Sequence, residues 1–67
     1  MKLSDLKPGD KLKADSGFSC IEPNAICIVQ EIDGRLFVKC TSGHHFLDGQ
    51  TEPMDDPHGE MVGFTYA

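Results

Sequence analysis

The sequence predicts a mostly-β domain in which five short strands curl into a small barrel with a central three-stranded meander. Three observations predict it. The run AICIVQEI, residues 25–32, is rich in β-branched residues, which fit a pleated, half-buried surface. Asp33-Gly34 separates it from RLFVKC, residues 35–40, and Asp-Gly between two apolar runs is a strong hairpin signal because both turn residues tolerate positive φ. Elsewhere single glycines, prolines, Asp and Asn interrupt the chain too often for a helix of ordinary length.

The elements follow in order. Ser4–Asp10 reads as one helical turn, with Ser4 as its cap, running into a Pro8-Gly9 turn. Lys11–Ala14 alternates polar and apolar residues and is a short strand with one wet face. Asp15-Ser16-Gly17 breaks it, and Phe18–Ala25 is an irregular loop. The hairpin of residues 25–40 comes next. Ser42-Gly43 is a weaker turn signal, and His44–Leu47 is a short third strand of the meander. Thr51–Glu60, with two prolines and four acids, is a loop, and Met61–Tyr66 is the last strand. Closure into a barrel is expected because it hides strand edges.

The chain has 67 residues, which is one domain, residues 1–67. A domain of this size buries only about 60% of its unfolded surface, leaving little room for a deep substrate cleft beside a core. Its formal charge is −5, from 11 acidic and 6 basic residues. That balance argues against nucleic acid as a partner, since such affinity comes largely from Lys and Arg neutralising phosphates. The N-terminal residues are polar and read as no targeting segment, and no apolar run approaches the roughly 20 residues that span a bilayer. Three cysteines, an odd number, do not suit a secreted disulfide framework. The expected setting is a reducing cytoplasm, with no membrane partner.

The opening Leu6-Lys7-Pro8-Gly9-Asp10-Lys11-Leu12 resembles the first strand of many SH3-like barrels, where a leucine and a Pro-Gly-Asp turn feed strand one. A long loop followed by three hairpin-linked strands is similar too, so the resemblance implies an SH3-like fold. The phrases LFVKC, GHHFLDGQ and MVGF look like those of short phage and proteobacterial proteins. That second likeness implies a phage- or prophage-type accessory protein acting on a host protein, and it carries no chemistry to transfer.

Chemistry-bearing residues cluster around VKCTSGHHFLDGQ, residues 38–50. A two-residue turn at Asp33-Gly34 places Gln30 opposite Phe37 and, continued, Cys27 opposite Cys40, with Cα atoms about 4.5 Å apart as a non-hydrogen-bonded pair. A two-residue turn at Ser42-Gly43 would set Cys40 opposite His45. Cys27, Cys40 and His45 then share one face, and Cys20 would be the fourth ligand of a tetrahedral zinc site. No CxxC spacing supports zinc, and buried free cysteines are commonly small hydrophobes. Zinc or thiol chemistry is therefore the alternative, and no cofactor the primary expectation. Catalysis is not expected: a Cys or Ser nucleophile would need an orienting group, an oxyanion hole and a pocket that no pattern here supplies. Asp48, Glu52, Asp55, Asp56 and Glu60 do not match a calcium loop and read as solvated.

Alternation along the strands divides the meander into two faces. Cys27, Val29, Leu36, Val38 and Cys40 make the better core. Ile28, Ile32, Phe37 and Phe46 share the other face, which should be wet in a small barrel. They are covered either by Leu3, Leu6, Phe18 and Ile21 or by a partner, because large exposed apolar patches mark interaction sites. The expected function is a non-enzymatic protein-interaction module whose partner surface is Ile28, Phe37, Lys39 and Phe46, binding another protein or a second copy.

Overall fold

The computed structural model describes all 67 residues, Met1–Ala67. It is mostly β and contains three small antiparallel sheets. Their strands are β1 (Lys11–Ala14), β2 (Ile26–Ile28), β3 (Gln30–Ile32), β4 (Arg35–Cys40), β5 (Gly43–Phe46), β6 (Thr51–Glu52), β7 (Glu60–Met61) and β8 (Phe64–Tyr66). The sheets run β2-β1-β8, β3-β4-β5 and β6-β7. A single 3-10 turn at Leu3–Asp5 is the only helical segment, so no helix is long and apolar enough to cross a membrane. Ser4 does not cap this turn: the Asp5 carboxylate accepts the Lys2 amide at 3.0 Å, and Ser4 Oγ lies 3.4 Å from His58 Nδ1 instead.

The expected long strand of residues 25–32 is divided at Val29. Gly9 donates its amide to the Val29 carbonyl, and Val29 donates its own to Asp10, each at 2.8 Å. The Pro-Gly-Asp turn thereby captures the chain, and the residues before and after Val29 enter different sheets. β2 pairs with β1, Leu12 opposite Cys27, while β3 pairs with β4, Gln30 opposite Phe37. The Asp33-Gly34 turn has both residues at positive φ, 52° and 77°, so the hairpin register next to it is the expected one. Further from the turn the expected Cys27–Cys40 cross-strand pair is not formed.

The second hairpin differs by two residues. Its turn is Thr41-Ser42, which puts Cys40 opposite Gly43 and Val38 opposite His45. Cys40 therefore does not face His45. A shift of two keeps each side chain on its face, so His45 stays on the side of Val38. No closed barrel forms. β8 pairs with β1 and β5 with β4, and residues 47–63, which carry the separate β6-β7 ladder, keep β5 and β8 from meeting. The expected final strand is split for the same reason, its first part pairing with β6.

One core lies inside these sheets: Leu6, Leu12, Ala14, Ile21, Cys27, Val29, Val38, Leu47, Met61 and Phe64. Leu36 and Cys40 are partly buried against it. The face expected to be the core is the core, and Leu6 and Ile21 belong to it; they do not cover the opposite face. The loop after β1 is held by a tight reversal in which Phe18 and Ile21 exchange backbone hydrogen bonds of 2.7 and 3.2 Å. Gly17 makes that reversal possible. Its φ is +76°, and a Cβ there would sit 2.7 Å from the Pro23 nitrogen and 2.8 Å from the Ile21 oxygen. Gly34 has a similar φ with nothing within 4 Å of a Cβ. Gly34→Ala should therefore cost about 1 kcal/mol, the left-handed penalty alone, and Gly17→Ala distinctly more. Urea unfolding of the two variants measures the difference, and equal costs would show that the loop moves freely.

Candidate functional site

β2 and β4 run side by side without a ladder between them, because the break at Val29 turns β2 toward β1. The opening is a cleft of about 360 Å³ lined by Cys20, Ile21, Glu22, Ala25, Ile26, Cys27, Lys39, Cys40 and Thr41. All three cysteines of the chain line it, from three separate elements. Cys20 arrives from the loop, Cys27 from β2 and Cys40 from the end of β4.

The Cys20 loop is tied to the second hairpin. Thr41 donates both its amide, at 3.1 Å, and its hydroxyl, at 3.3 Å, to the Cys20 carbonyl. Cys20 Sγ lies 3.4 Å from His45 Nδ1, and His45 Nε2 lies 3.2 Å from Gln50 Oε1. The Gln50 amide nitrogen points to the Val62 carbonyl at 3.5 Å, which leaves Oε1 as an acceptor. The tautomer with the proton on Nε2 therefore donates to Gln50 and presents the Nδ1 lone pair to the Cys20 thiol. The imidazole is held by rings on both sides, 4.8 Å from Phe18 and 6.0 Å from Phe64 between centroids.

The Cys20 and Cys40 thiols line the same cleft, on segments that Thr41 ties together through the Cys20 carbonyl. Cys40 is held below the usual thiol range, first by its side-chain contact with Cys20 and then by that with Ser42, whose Oγ is 3.3 Å away. Cys20 is pushed up by the same contact and by desolvation. Cys27 is pushed up chiefly by burial, and its Sγ turns toward the Ala25 carbonyl at 3.9 Å. The four residues offered as zinc ligands thus divide: Cys20, Cys40 and His45 are linked by contacts through Cys20, while Cys27 lines the cleft and bonds elsewhere. No group of three or more His, Cys, Asp and Glu side chains is arranged to hold a metal ion.

The outer face of the meander is covered in a way the sequence reading did not include. Phe37 is buried, at 4% exposure, so its ring is not on the open surface where it was expected. The His44 ring lies 4.4 Å from it and Phe46 5.9 Å. The Arg35 guanidinium sits 3.8 Å above Phe46 and is anchored by two hydrogen bonds to Asp48, of 2.7 and 3.1 Å. That hydrogen-bonded partner holds the Asp48 carboxyl below the ordinary carboxylate range. Beyond this cover, Ile26 and Ile28 stand 58% and 50% exposed, opposite Lys13 and Lys11 on β1. Lys39 is exposed beside them.

Gln50 and Thr41 carry no local pattern that marks them, and each acquires its role by crossing from one loop to another; Phe18, expected as a cover for the outer face, packs on His45 instead. Ile26 was legible in principle, since it alternates with Ile28. No family model matches the chain, and neither does any curated protein or solved structure.

Proposed function

We propose that this chain is a non-catalytic binding module that takes an extended segment of a partner protein along the free edge of β2. The carrying observation is that edge: β2 has β1 as its only ladder partner, and Ile26 and Ile28 project from it into solvent. An unpaired edge flanked by apolar side chains is a template for strand addition. Ile28 and Lys39 make contact with the segment in this reading, while Phe37 and Phe46 are the platform that holds the strands in place. Lys11, Lys13 and Lys39 gather three of the chain's six basic residues around the isoleucines, which favours a segment with acids between its apolar positions. Acid-rich phosphate polymers are not invoked, given the net charge of −5.

An SH3-like arrangement is part of the same proposal. It is supported by residues 26–32 feeding both three-stranded sheets and by β8 returning to pair with β1. The test uses a soluble labelled peptide alternating valine with glutamate, with fluorescence anisotropy as the readout. Wild type should bind it saturably, and Ile28→Glu should weaken binding at least about tenfold, near 1.4 kcal/mol. Equal affinity for both proteins, or no binding to wild type, overturns the peptide reading. A mass that rises with protein concentration and falls back to the monomer in Ile28→Glu assigns the edge to a second copy instead.

A further inference from the structure

We propose that Cys20 and Cys40 form a dithiol site that exchanges with low-molecular-weight disulfides, with Cys40 as the attacking sulfur, Cys20 as the resolving sulfur and His45 as the proton acceptor. Lys39 apart, it rests on other residues than the strand-edge reading does. It rests on four features that meet at one place: two thiols on segments joined by the Thr41 bonds to the Cys20 carbonyl, a ring nitrogen 3.4 Å from one of them, a side-chain amide that orients the ring, and an open cleft that both thiols line.

The division of roles follows from the contacts. The thiolate is the nucleophile, and a Cys40 thiolate has the Ser42 hydroxyl 3.3 Å away to donate to it. Cys20 keeps its proton and has a base beside it. In the first step the Cys40 thiolate attacks one sulfur of R–S–S–R. A Cys40–S–R bond forms, the R–S–S–R bond breaks, and RS⁻ leaves, taking up the proton Cys40 gave to solvent. In the second step Cys20 passes its proton to His45 Nδ1 and attacks Cys40 Sγ. The Cys20–Cys40 bond forms, the Cys40–S–R bond breaks, and the second RS⁻ takes the proton from His45. One protein dithiol is oxidised and one disulfide is reduced to two thiols. Cys27, buried and turned to a carbonyl, takes no part. The cleft beside Cys40 admits a small R group, and Lys39 at its rim suits a carboxylate on R.

The experiment treats the reduced, chelator-stripped protein with glutathione disulfide and follows intact mass. Wild type should lose two hydrogens and two alkylatable thiols, without retaining glutathione. Tryptic cleavage after Arg35 and Lys39 puts Cys40 on its own peptide, and tandem fragmentation at Glu22-Pro23, between Cys20 and Cys27, should map the bridge to Cys20 and Cys40 in the unmutated chain. Cys20→Ser should accumulate a stable glutathione adduct on Cys40. His45→Gln should retain the bridge at equilibrium but lengthen the life of the mixed disulfide and move its pH profile, which a purely structural role would not do. A bridge from Cys27 to Cys40, a persistent adduct on the wild-type protein, or no reaction at all overturns the proposal. Because mapping is done on wild type, a variant that fails to fold does not decide the matter.

Discussion

Leu12→Ala should remove about 3–5 kcal/mol of stability and leave a large share of the chain unfolded without denaturant. Leu12 is 0% exposed. It sits on β1, the central strand of its sheet, paired with Cys27 on one side and Tyr66 on the other. Truncating a fully buried leucine loses the transfer free energy of its methyl groups and leaves a cavity that the surroundings fill only partly. A domain of this length has roughly 3–10 kcal/mol in total. The loss is therefore comparable to the whole. Urea unfolding monitored by circular dichroism reads it directly. A loss below about 1 kcal/mol would mean that β1 is not at the centre of the core.

Phe37→Ser should cost about 3 kcal/mol or more, while Ile28→Ser, on β2 of the other three-stranded sheet, should cost well under 1 kcal/mol. Both residues were expected to form an open binding surface. Burial separates them. Phe37 lies beneath His44 and Phe46, so serine there would leave a void and an unpartnered hydroxyl. Ile28 is half in water, and replacing it removes little buried surface. The pair of midpoints in urea decides between a covered aromatic cluster and a free patch. Similar, small shifts for both would return Phe37 to the exposed surface.

The hairpin at Asp33-Gly34 was legible because a two-residue turn with both φ values positive is a local requirement that Asp and Gly satisfy themselves. The inward set Cys27, Val29 and Val38 followed from alternation alone. The second turn was less legible. Ser42-Gly43 and Thr41-Ser42 are adjacent candidates of similar composition, and the choice between them is made by Phe37 meeting Phe46 and by Thr41 bonding to Cys20 across the fold. The expected closed barrel is absent for a related reason. Five strands suggest closure, but nothing local says that the chain between β5 and β8 builds a ladder of its own.

The candidate site divides in the same way. That Cys20, Cys40 and His45 belong together was visible as an unusual set of soft side chains, yet the expected cross-strand pairings do not form. His45 meets Cys20 and not Cys40, and Cys27 reaches the cleft from a different sheet. Gln50, which orients the imidazole, has no pattern to announce it.

By itself the sequence determined what near neighbours along the chain can enforce: the β character, the first hairpin and its register, the side of each strand that turns inward, and the acidic balance. The tertiary structure alone decided where the chain changes sheets at Val29 and that a thiol from a loop and another from β4 line one cleft. Those outcomes depend on the Val29 backbone finding Gly9 and Asp10, and on the Cys20 carbonyl finding Thr41. Such bonds join residues some twenty positions apart, and alternation or turn chemistry within either segment carries no information about the other.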